Sequence, residues 1–467
     1  MPKYAHSLCI ALLAAAAALA PATAQLVPQV SVPNAGIPGG VGTGAVGGVV
    51  NDIGRTVGQV GNVGGINQAG EAVKVTRRDI ELELESNLNQ LGYSLWAYSA
   101  PPATLLDLRR LRLAELVKDS GGRLEMDGAG NPIVRGRLIA LDPTRAELSA
   151  AGRAGFSVAA TEKDQVIGAT IVVFDAPRGM RTAAALALLR RAAPTMNAEF
   201  DHVFEPAGGA LAASSVALAA SSAAVAASGR PLIGMIDGGV AQSPALASAT
   251  IEQKGFAGPP QATGHGTAIA SLIVGSHGKF RGAAAGSALL VGDVYGGNPA
   301  AGSALAIVKA LSWIASHRPS AINISLVGPR NRVVERGIAA VQARGIKVVA
   351  AVGNDGPAAP PLYPASQPGV IAVTGVDATN RALAEAGRSA HLDYAAPGAD
   401  MAAALPGKGY AKVRGTSFAA PFITSRLALR GSTALLDAEA SRKGHGRIGR
   451  GIVCGACRVA PKQVGAK

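Results

Sequence analysis

The chain has 467 residues, of which 48% are hydrophobic and 4% aromatic, and its formal net charge is +14. This length allows two or three domains with apolar cores. The charge would suit nucleic acid or lipid headgroups, but no basic patch with interleaved aromatic residues accompanies it. We therefore exclude nucleic acid as a partner and attribute the charge to solubility or adhesion to the cell envelope.

Residues 1–24 have the pattern of a secretory signal peptide. Lys3 and His6 precede an apolar run at 8–20, and the small residues at 21–24 form an A-x-A cleavage site. The apolar run is too short to cross a bilayer comfortably. The sequence thus predicts no transmembrane span and an exported protein in the periplasm, at the cell surface or outside the cell.

Two segments of less definite character follow the signal. Residues 25–70 are rich in Gly, Val, Asn and Pro without a sustained period, which indicates a low-complexity segment that is disordered or loosely attached to a surface. In residues 71–130 the leucines recur at helical intervals, so we predict a helical segment of unknown role.

Residues 131–206 alternate between short apolar runs and helical patterns in the order βαββαβ. That order is the split ferredoxin-like unit, an α+β fold. Taken alone, the segment is also consistent with an independent small binding domain.

An Ala/Ser-rich linker at 207–230 precedes the largest domain. Alanine is weakly apolar and serines are frequent in it, so a membrane span is not expected there. From 231 to 458 short apolar runs alternate with helical stretches, which predicts an α/β fold whose parallel sheet has helices on both faces. Residues 459–467 are predicted to be a C-terminal tail.

Four glycine-flanked motifs lie within this α/β domain. Asp237 ends an apolar strand in I-D-G-G, His265 lies in G-H-G-T before an apolar helix, and Asn354 lies in G-N-D-G after a further strand. Ser417 lies in G-T-S-F-A-A-P, where the chain turns into a helix. A serine hydroxyl becomes a good nucleophile only with a base beside it and a donor for the oxyanion that forms.

These motifs, in this chain order, resemble those of the subtilisin-like serine proteases (subtilases) over about residues 231–430. The resemblance implies a subtilisin-like fold and a serine endopeptidase. It also implies that Ser417 is the nucleophile, that His265 is the general base and acid, and that Asp237 orients the imidazole. Asn354 and the Ser417 backbone N–H would hold the oxyanion.

The same resemblance gives roles to neighbouring segments. Residues 131–206 are expected to be a prodomain, which acts as chaperone and inhibitor by placing its C-terminal tail in the active site. Self-cleavage is expected between Ala207 and Arg230. Protein or peptide substrates would bind as an added strand against a cleft; its expected lining residues are Ser325, Leu326, Val327, Gly328, Ala351 and Gly353.

Each motif also has a simpler interpretation. Ser417 alone could be a helix N-cap, His265 a buried core histidine, and Asp237 and Asn354 turn residues. A catalytically silent, envelope-attached binding protein with the same fold is the alternative function. Gly238 departs from the Ser or Thr of many relatives, so one local hydrogen bond is expected to be missing.

No cofactor is predicted. Structural calcium is common among relatives, but clusters of acidic loop residues that would support it are few here, so no metal site is assigned. Cys454 and Cys457 could form a redox-active pair, half of a zinc site or a local disulfide, and the spacing without a second C-x-x-C favours the disulfide.

Overall fold

The structure is a computed structural model that describes residues 63–66, 72–75, 102–207, 230–407 and 409–466. The chain divides into two units, Met1–Leu95 and Trp96–Lys467. In the first unit, β1 (Val63–Ile66) pairs antiparallel with β2 (Ala72–Val75). The helical prediction for 71–130 is therefore wrong at β2. The predicted signal peptide, most of segment 25–70 and linker residues 208–229 lie outside the described residues.

The second unit begins with helix α1 (Pro102–Asp119), where the helical prediction is correct. The helix ends before Gly121 and Gly122, whose positive φ angles of 63° and 80° favour glycine. The next element, β3 (Leu124–Met126), is a strand rather than the predicted helix. It pairs with the sheet that follows, so the α+β unit begins before residue 131.

The α+β unit contains the βαββαβ order predicted from the sequence. Its sheet has five strands, with the neighbours β3-β4-β6-β5 and with β7 paired to β4. The two helices cover one face of this sheet, where Leu186 and Leu189 pack in one apolar cluster with Leu138 and Phe174. The elements are β4 (Pro132–Leu141), α2 (Arg145–Arg153), β5 (Ser157–Asp164), β6 (Ala169–Asp175), α3 (Thr182–Ala192) and β7 (Asn197–His202).

A two-residue strand, β8 (Glu205–Pro206), leaves this unit and pairs with the α/β domain. The domain's strands in chain order are β9 (Leu232–Asp237), β10 (Thr250–Gly255), β11 (Ser276–His277), β12 (Phe280–Arg281), β13 (Ala288–Asp293), β14 (Ala321–Ile324), β15 (Leu326–Val327), β16 (Lys347–Ala351), β17 (Ile371–Val376), β18 (Tyr394–Pro397), β19 (Met401–Ala404) and β20 (Tyr410–Val413). Its longer helices are α4 (Gly264–Val274), α5 (Ala304–Ser316), α6 (Arg332–Ala343) and α7 (Ala420–Arg430).

The main sheet has seven strands in the order β10-β13-β9-β14-β16-β17-β18, all parallel. Neighbouring residues of β9 lie on opposite faces of the sheet. Met235 packs in one apolar cluster with residues of α4 and α7, and Ile236 packs in another with residues of α5 and α6. Helices therefore cover both faces, as the sequence predicts. This double cover explains why the central strands are almost wholly buried.

The C-terminal region belongs to the same domain. Helix α8 (Thr433–Glu439) follows α7, and α9 (Pro461–Val464) contacts the β19–β20 hairpin. The Ala402 N–H donates to the Val459 carbonyl over 2.9 Å, so the predicted tail at 459–467 packs on the domain instead of trailing from it. Cys454 and Cys457 form the local disulfide that their spacing favours. Within the described ranges, no helix combines the length and apolarity needed to cross a bilayer.

Candidate active site

Asp237 and His265 meet at the carboxyl end of the main sheet. Asp237 is the last residue of β9, and His265 lies in the first turn of α4; their side chains are 1% and 4% exposed. His265 Nδ1 lies 2.9 Å from each carboxylate oxygen of Asp237. Because a carboxylate only accepts hydrogen bonds, Nδ1 carries the proton and Nε2 is left as an acceptor.

Ser417 supplies the donor for that acceptor. Its Oγ lies 3.0 Å from His265 Nε2, although 152 positions separate the two residues in the chain. Ser417 lies in a 3₁₀ turn, Thr416–Phe418, between β20 and α7, and is fully buried. The turn starts at Gly415, whose φ of 141° favours glycine. The structure thus joins the predicted Asp237, His265 and Ser417 in one hydrogen-bonded line.

Asn354 lies beside this turn, in the loop after β16. Its Oδ1 accepts from the Thr416 N–H over 3.0 Å, which fixes the orientation of the amide. The Nδ2 atom is buried and has no hydrogen-bond partner among the residues that the structure describes. A buried donor without a partner costs about 1–3 kcal/mol. The unused N–H groups of Asn354 are suited to a ligand oxygen near Ser417.

Gly238 shows why a side chain is absent after Asp237. A Cβ atom built at Gly238 would lie 2.4 Å from Oγ1 of Thr263, the N-cap of α4. Thr263 fills that space and accepts from the Gly266 N–H over 2.9 Å. Thr263 Oγ1 also lies 3.5 Å from the Gly239 carbonyl, so its hydroxyl serves these backbone groups, and the expectation of a missing hydrogen bond at position 238 stays a prediction.

Asp293 holds the loop that leads into α4. It ends β13, next to Asp237 in the sheet register, and its Oδ2 accepts from the Gln261 N–H over 2.8 Å. Burial raises the pKa of Asp293, hydrogen bonds from Gln261, Tyr295 and Gly296 partly offset that effect, and the charge of Asp237 adds to it. Asp293 therefore fixes the backbone before α4 and the turn after β13. No motif in the sequence identifies it.

The end of the α+β unit enters this site as an added strand. In β8, Glu205 pairs antiparallel with Val327, and Pro206 pairs with Leu326. Beyond β8, the Ala207 N–H donates to the Ser325 carbonyl over 2.8 Å. Antiparallel backbone pairing of this kind is how an extended peptide binds the edge of a sheet. The predicted cleft residues Ser325, Leu326 and Val327 thus lie against residues 204–207, which are called the tail from here on.

Phe204 fills a pocket at the start of this added strand and is fully buried. Its N–H donates to the Gly302 carbonyl over 2.7 Å, and its carbonyl accepts from the Tyr295 hydroxyl over 3.1 Å. Its ring occupies the space above Gly328, where a Cβ atom would lie 2.5 Å from the ring. Gly328, predicted from the sequence, is thus part of the pocket, whereas Tyr295 and Gly302 were not predicted.

The remaining predicted cleft residues lie below the tail. Ala351 is buried, pairs with Val373 and shares an apolar cluster with Ala207. The Gly353 N–H donates to Thr416 Oγ1 over 3.1 Å, and its φ of 91° favours glycine. Gly353 therefore supports the turn that presents Ser417.

Helix α1 adds charged contacts over the tail. Arg112 Nη2 lies 2.9 Å from Glu205 Oε2 and 2.9 Å from Asp355 Oδ1. Arg109 Nε lies 3.1 Å from Asp355 Oδ2. Since Asp355 follows Asn354, the two arginines join α1, the tail and the loop beside the site. Sequence reasoning gave this helix no role.

Over the part of the chain that the structure describes, no cluster of three or more His, Cys, Asp or Glu side chains is placed to hold a metal ion.

Comparison with known proteins gives consistent matches to the α/β domain. Residues 229–435 match a family described as the subtilase family. The major intracellular serine protease of Bacillus subtilis (strain 168) is 32% identical over 173 residues, which cover 36% of this chain and 54% of that protein. Subtilisin Savinase of Lederbergia lenta is 32% identical over 169 residues, or 36% of this chain and 62% of that protein. The chain thus spans less than two thirds of the length of these relatives.

Among solved structures, fervidolysin from Fervidobacterium pennivorans, described as a keratinolytic enzyme related to subtilisin, matches with a TM-score of 0.56 and 17% identity. The match covers 69% of this chain and 60% of that chain. At this identity the likeness concerns the fold alone.

Proposed function

We propose that this protein is a serine endopeptidase made as a precursor that cleaves itself, since residues 229–435 match the subtilase family. The observation that carries the proposal is the hydrogen-bonded line from Asp237 through His265 to Ser417. A second observation supports it: a peptide segment of the same chain lies in the adjoining cleft.

The chemistry follows from the placement of these groups. His265 Nε2 removes the Ser417 hydroxyl proton as Oγ bonds to the scissile carbonyl carbon, and the negative charge moves to the carbonyl oxygen. Asn354 Nδ2 and the Ser417 N–H donate to that oxygen. His265 then returns the proton to the amine as the C–N bond breaks, leaving an acyl-enzyme. A water molecule, deprotonated by His265, hydrolyses the ester and regenerates Ser417.

Substrates would be proteins or peptides that bind as an extended strand. The tail supplies the template, with Ala207 seated on Ser325 and Phe204 in the pocket above Gly328. This arrangement favours a small residue at the cleavage point and a large apolar residue three positions before it. The apolar pocket contributes to binding, since burying an aromatic side chain is worth about 1.5–3 kcal/mol.

The tail also supports an inhibitory prodomain. Residues 102–207 occupy the cleft that a substrate would need, through β8, Phe204 and the arginines of α1. A bond just after Ala207 would be the one next to Ser417, at the start of the predicted cleavage window of Ala207 to Arg230. We infer that self-cleavage occurs there and that the prodomain stays bound as an inhibitor afterwards.

Export is proposed from the sequence pattern of residues 1–24. N-terminal sequencing of protein recovered outside the cytoplasm would test both events. An intact Met1 on that material would contradict removal of a signal peptide, and a mature N-terminus outside residues 208–230 would contradict the cleavage window.

A fluorophosphonate probe tests the activity directly, because it labels only a serine that is activated for attack. We expect the expressed protein to be labelled once it has been processed and the prodomain has been removed, and the label to disappear in Ser417→Ala. Ser425→Ala is the matched control, because Ser425 is also buried and its Oγ has no partner among the described residues. Labelling that persists in Ser417→Ala, or is absent from the unmutated protein, would refute the proposed function.

A further inference from the structure

A line of buried polar side chains runs beneath Ser417. Thr424 Oγ1 lies 3.1 Å from Asn323 Oδ1, and Asn323 Nδ2 lies 2.9 Å from Ser325 Oγ. Ser325 Oγ in turn donates to the Ser417 carbonyl over 2.9 Å. Asn323, Ser325, Ser417 and Thr424 are all fully buried.

The direction of each hydrogen bond in this line is determined by chemistry. The Ser417 carbonyl can only accept, so the Ser325 hydroxyl proton points to it. Ser325 Oγ must then accept from the amide N–H of Asn323, which leaves Asn323 Oδ1 facing the Thr424 hydroxyl. Thr424 Oγ1 also lies 3.1 Å from the Ala420 carbonyl, so its single proton is shared between two acceptors.

The Ser417 carbonyl needs such a donor from outside its own helix. In a continuing helix this carbonyl would accept from the N–H of the residue four positions later. That residue is Pro421, which has no N–H. Ser325 lies between β14 and β15. Its hydroxyl donates to the carbonyl and so fixes the peptide plane that follows Ser417.

Ser325 also contacts the bound peptide. Its backbone carbonyl accepts from the Ala207 N–H over 2.8 Å, while its side chain holds Ser417. One residue thus sets the position of the peptide relative to the nucleophile. Small displacements from that position lower the reaction rate, because attack requires the reacting atoms to be aligned at about 3–3.5 Å.

We propose that Asn323 and Thr424 are positioning residues for the Ser417 nucleophile, acting through the Ser325 hydroxyl. The inference rests on the proposed function and extends it to two side chains outside the catalytic motifs. Asn323 lies in the otherwise apolar strand β14, and Thr424 lies just under one helical turn beyond Pro421 in α7. Their polar groups are satisfied only as parts of this line and of the adjoining helix turn.

The test compares Thr424→Val, which keeps the shape but removes the hydroxyl, with Thr424→Ser, which keeps the hydroxyl. Both are made in the full chain, allowed to process, and normalised by active-site titration with a fluorophosphonate. We expect Thr424→Val to lower kcat for peptide hydrolysis roughly two- to tenfold, the range of one hydrogen bond's net contribution, with KM changed less than twofold. Thr424→Ser should retain the unmutated kcat. Ser425→Ala, on the next residue of the same helix, is the control for a change in α7.

A double mutant separates positioning from a general loss of stability. If Thr424 acts through Ser325, Thr424→Val should cost nothing further in kcat when added to Ser325→Ala. An unchanged kcat in Thr424→Val, an equal loss in Thr424→Ser, or effects that multiply in the double mutant would each overturn the proposal. Absence of labelling in the unmutated protein would instead refute the proposed endopeptidase, and this proposal with it.

Discussion

A buried histidine of the α+β unit predicts that one hydrogen bond makes a large contribution to the proposed inhibitory complex. His202 ends β7 and is 4% exposed. Its Nδ1 lies 3.0 Å from Nδ2 of Asn331, a residue of the α/β domain, and its Nε2 lies 3.2 Å from Asp127 of the prodomain. The Phe200 ring packs against the imidazole in a T-shaped arrangement. Asn331 is therefore the contact that separation of the two domains removes.

The orientation of Asn331 determines the direction of this hydrogen bond. Asn331 Oδ1 caps α6 by accepting from the Val333 and Val334 N–H groups, so Nδ2 must face His202. That amide group donates, and His202 Nδ1 accepts. Asp127 pairs with the ring both before and after separation, because both residues lie in the α+β unit, so the loss on separation falls on the Asn331 contact.

Asp127 holds the other side of the ring, and its carboxylate is ionised in neutral solution. Burial alone would raise its pKa, but hydrogen bonds from His202, Asn131 and Ala129 outweigh that effect and lower the pKa to about 2. The stability that this depressed pKa contributes is present above the ordinary value of 3.8 and is lost only as pH falls through about 2.

The magnitude follows from the loss of one buried hydrogen bond. A buried donor left without an acceptor costs about 1–3 kcal/mol, so the dissociation constant should rise about fivefold to a hundredfold in His202→Leu. The assay uses the Ser417→Ala precursor with a site-specific protease site in the linker. After the cut, release of the prodomain is followed by size-exclusion chromatography at neutral pH.

Two variants test this hydrogen bond from its two sides. His202→Leu removes the acceptor. Asn331→Asp keeps the helix cap but turns the facing group into an acceptor, so it should weaken the complex as well. An unchanged dissociation constant in both variants would refute this reasoning.

Three further predictions follow from the site. Asn354→Ala should lower kcat about 10²- to 10³-fold with little change in KM, because its Nδ2 would donate only to the developing oxyanion; an unchanged kcat in steady-state assays would contradict that role. Arg112→Gln should speed the appearance of activity in the precursor about fivefold, since it removes the bridge between Glu205 and Asp355, while Arg110→Gln, on the exposed side of α1, should not. Phe204→Ala should raise the rate of prodomain release at least tenfold, measured as above, whereas Phe200→Leu should have a smaller effect if the pocket above Gly328 is the main anchor.

The sequence predicted that Asp237, His265 and Ser417 lie together because glycine-flanked motifs make the local backbone easy to predict. Asp237 and His265 follow or begin elements whose apolar patterns are clear, so the fold brings them to one edge of the sheet. It could not identify Thr263 as the group that fills the space over Gly238, since that contact depends on how closely β9 approaches α4. Asn323 did leave a signal, as a lone polar residue in an apolar strand, but its partner Thr424 is visible only after α7 is packed on β14.

The tail and α1 show a second limit of the sequence. Leucine spacing predicted α1 correctly, yet its function depends on Arg109 and Arg112 meeting Asp355, more than two hundred positions away in the chain. No periodicity reports such a contact. For the same reason Tyr295 and Gly302, which hold the backbone of Phe204, were absent from the predicted cleft although the neighbouring Gly328 was included.

The contacts that hold the tail determine the order of events in the proposed activation. A short peptide alone would have to lose most of its conformational entropy to bind, but here β4 to β7 and α1 hold the tail in its bound form, which reduces that cost. Cutting the linker removes none of these contacts, because all of them lie within residues 102–207 and the α/β domain. Under the proposed function, cleavage and release would therefore be separate steps, and release would limit the appearance of activity. Only release involves the His202–Asn331 contact, so Asn331→Asp should shorten the lag before activity appears without a faster cut.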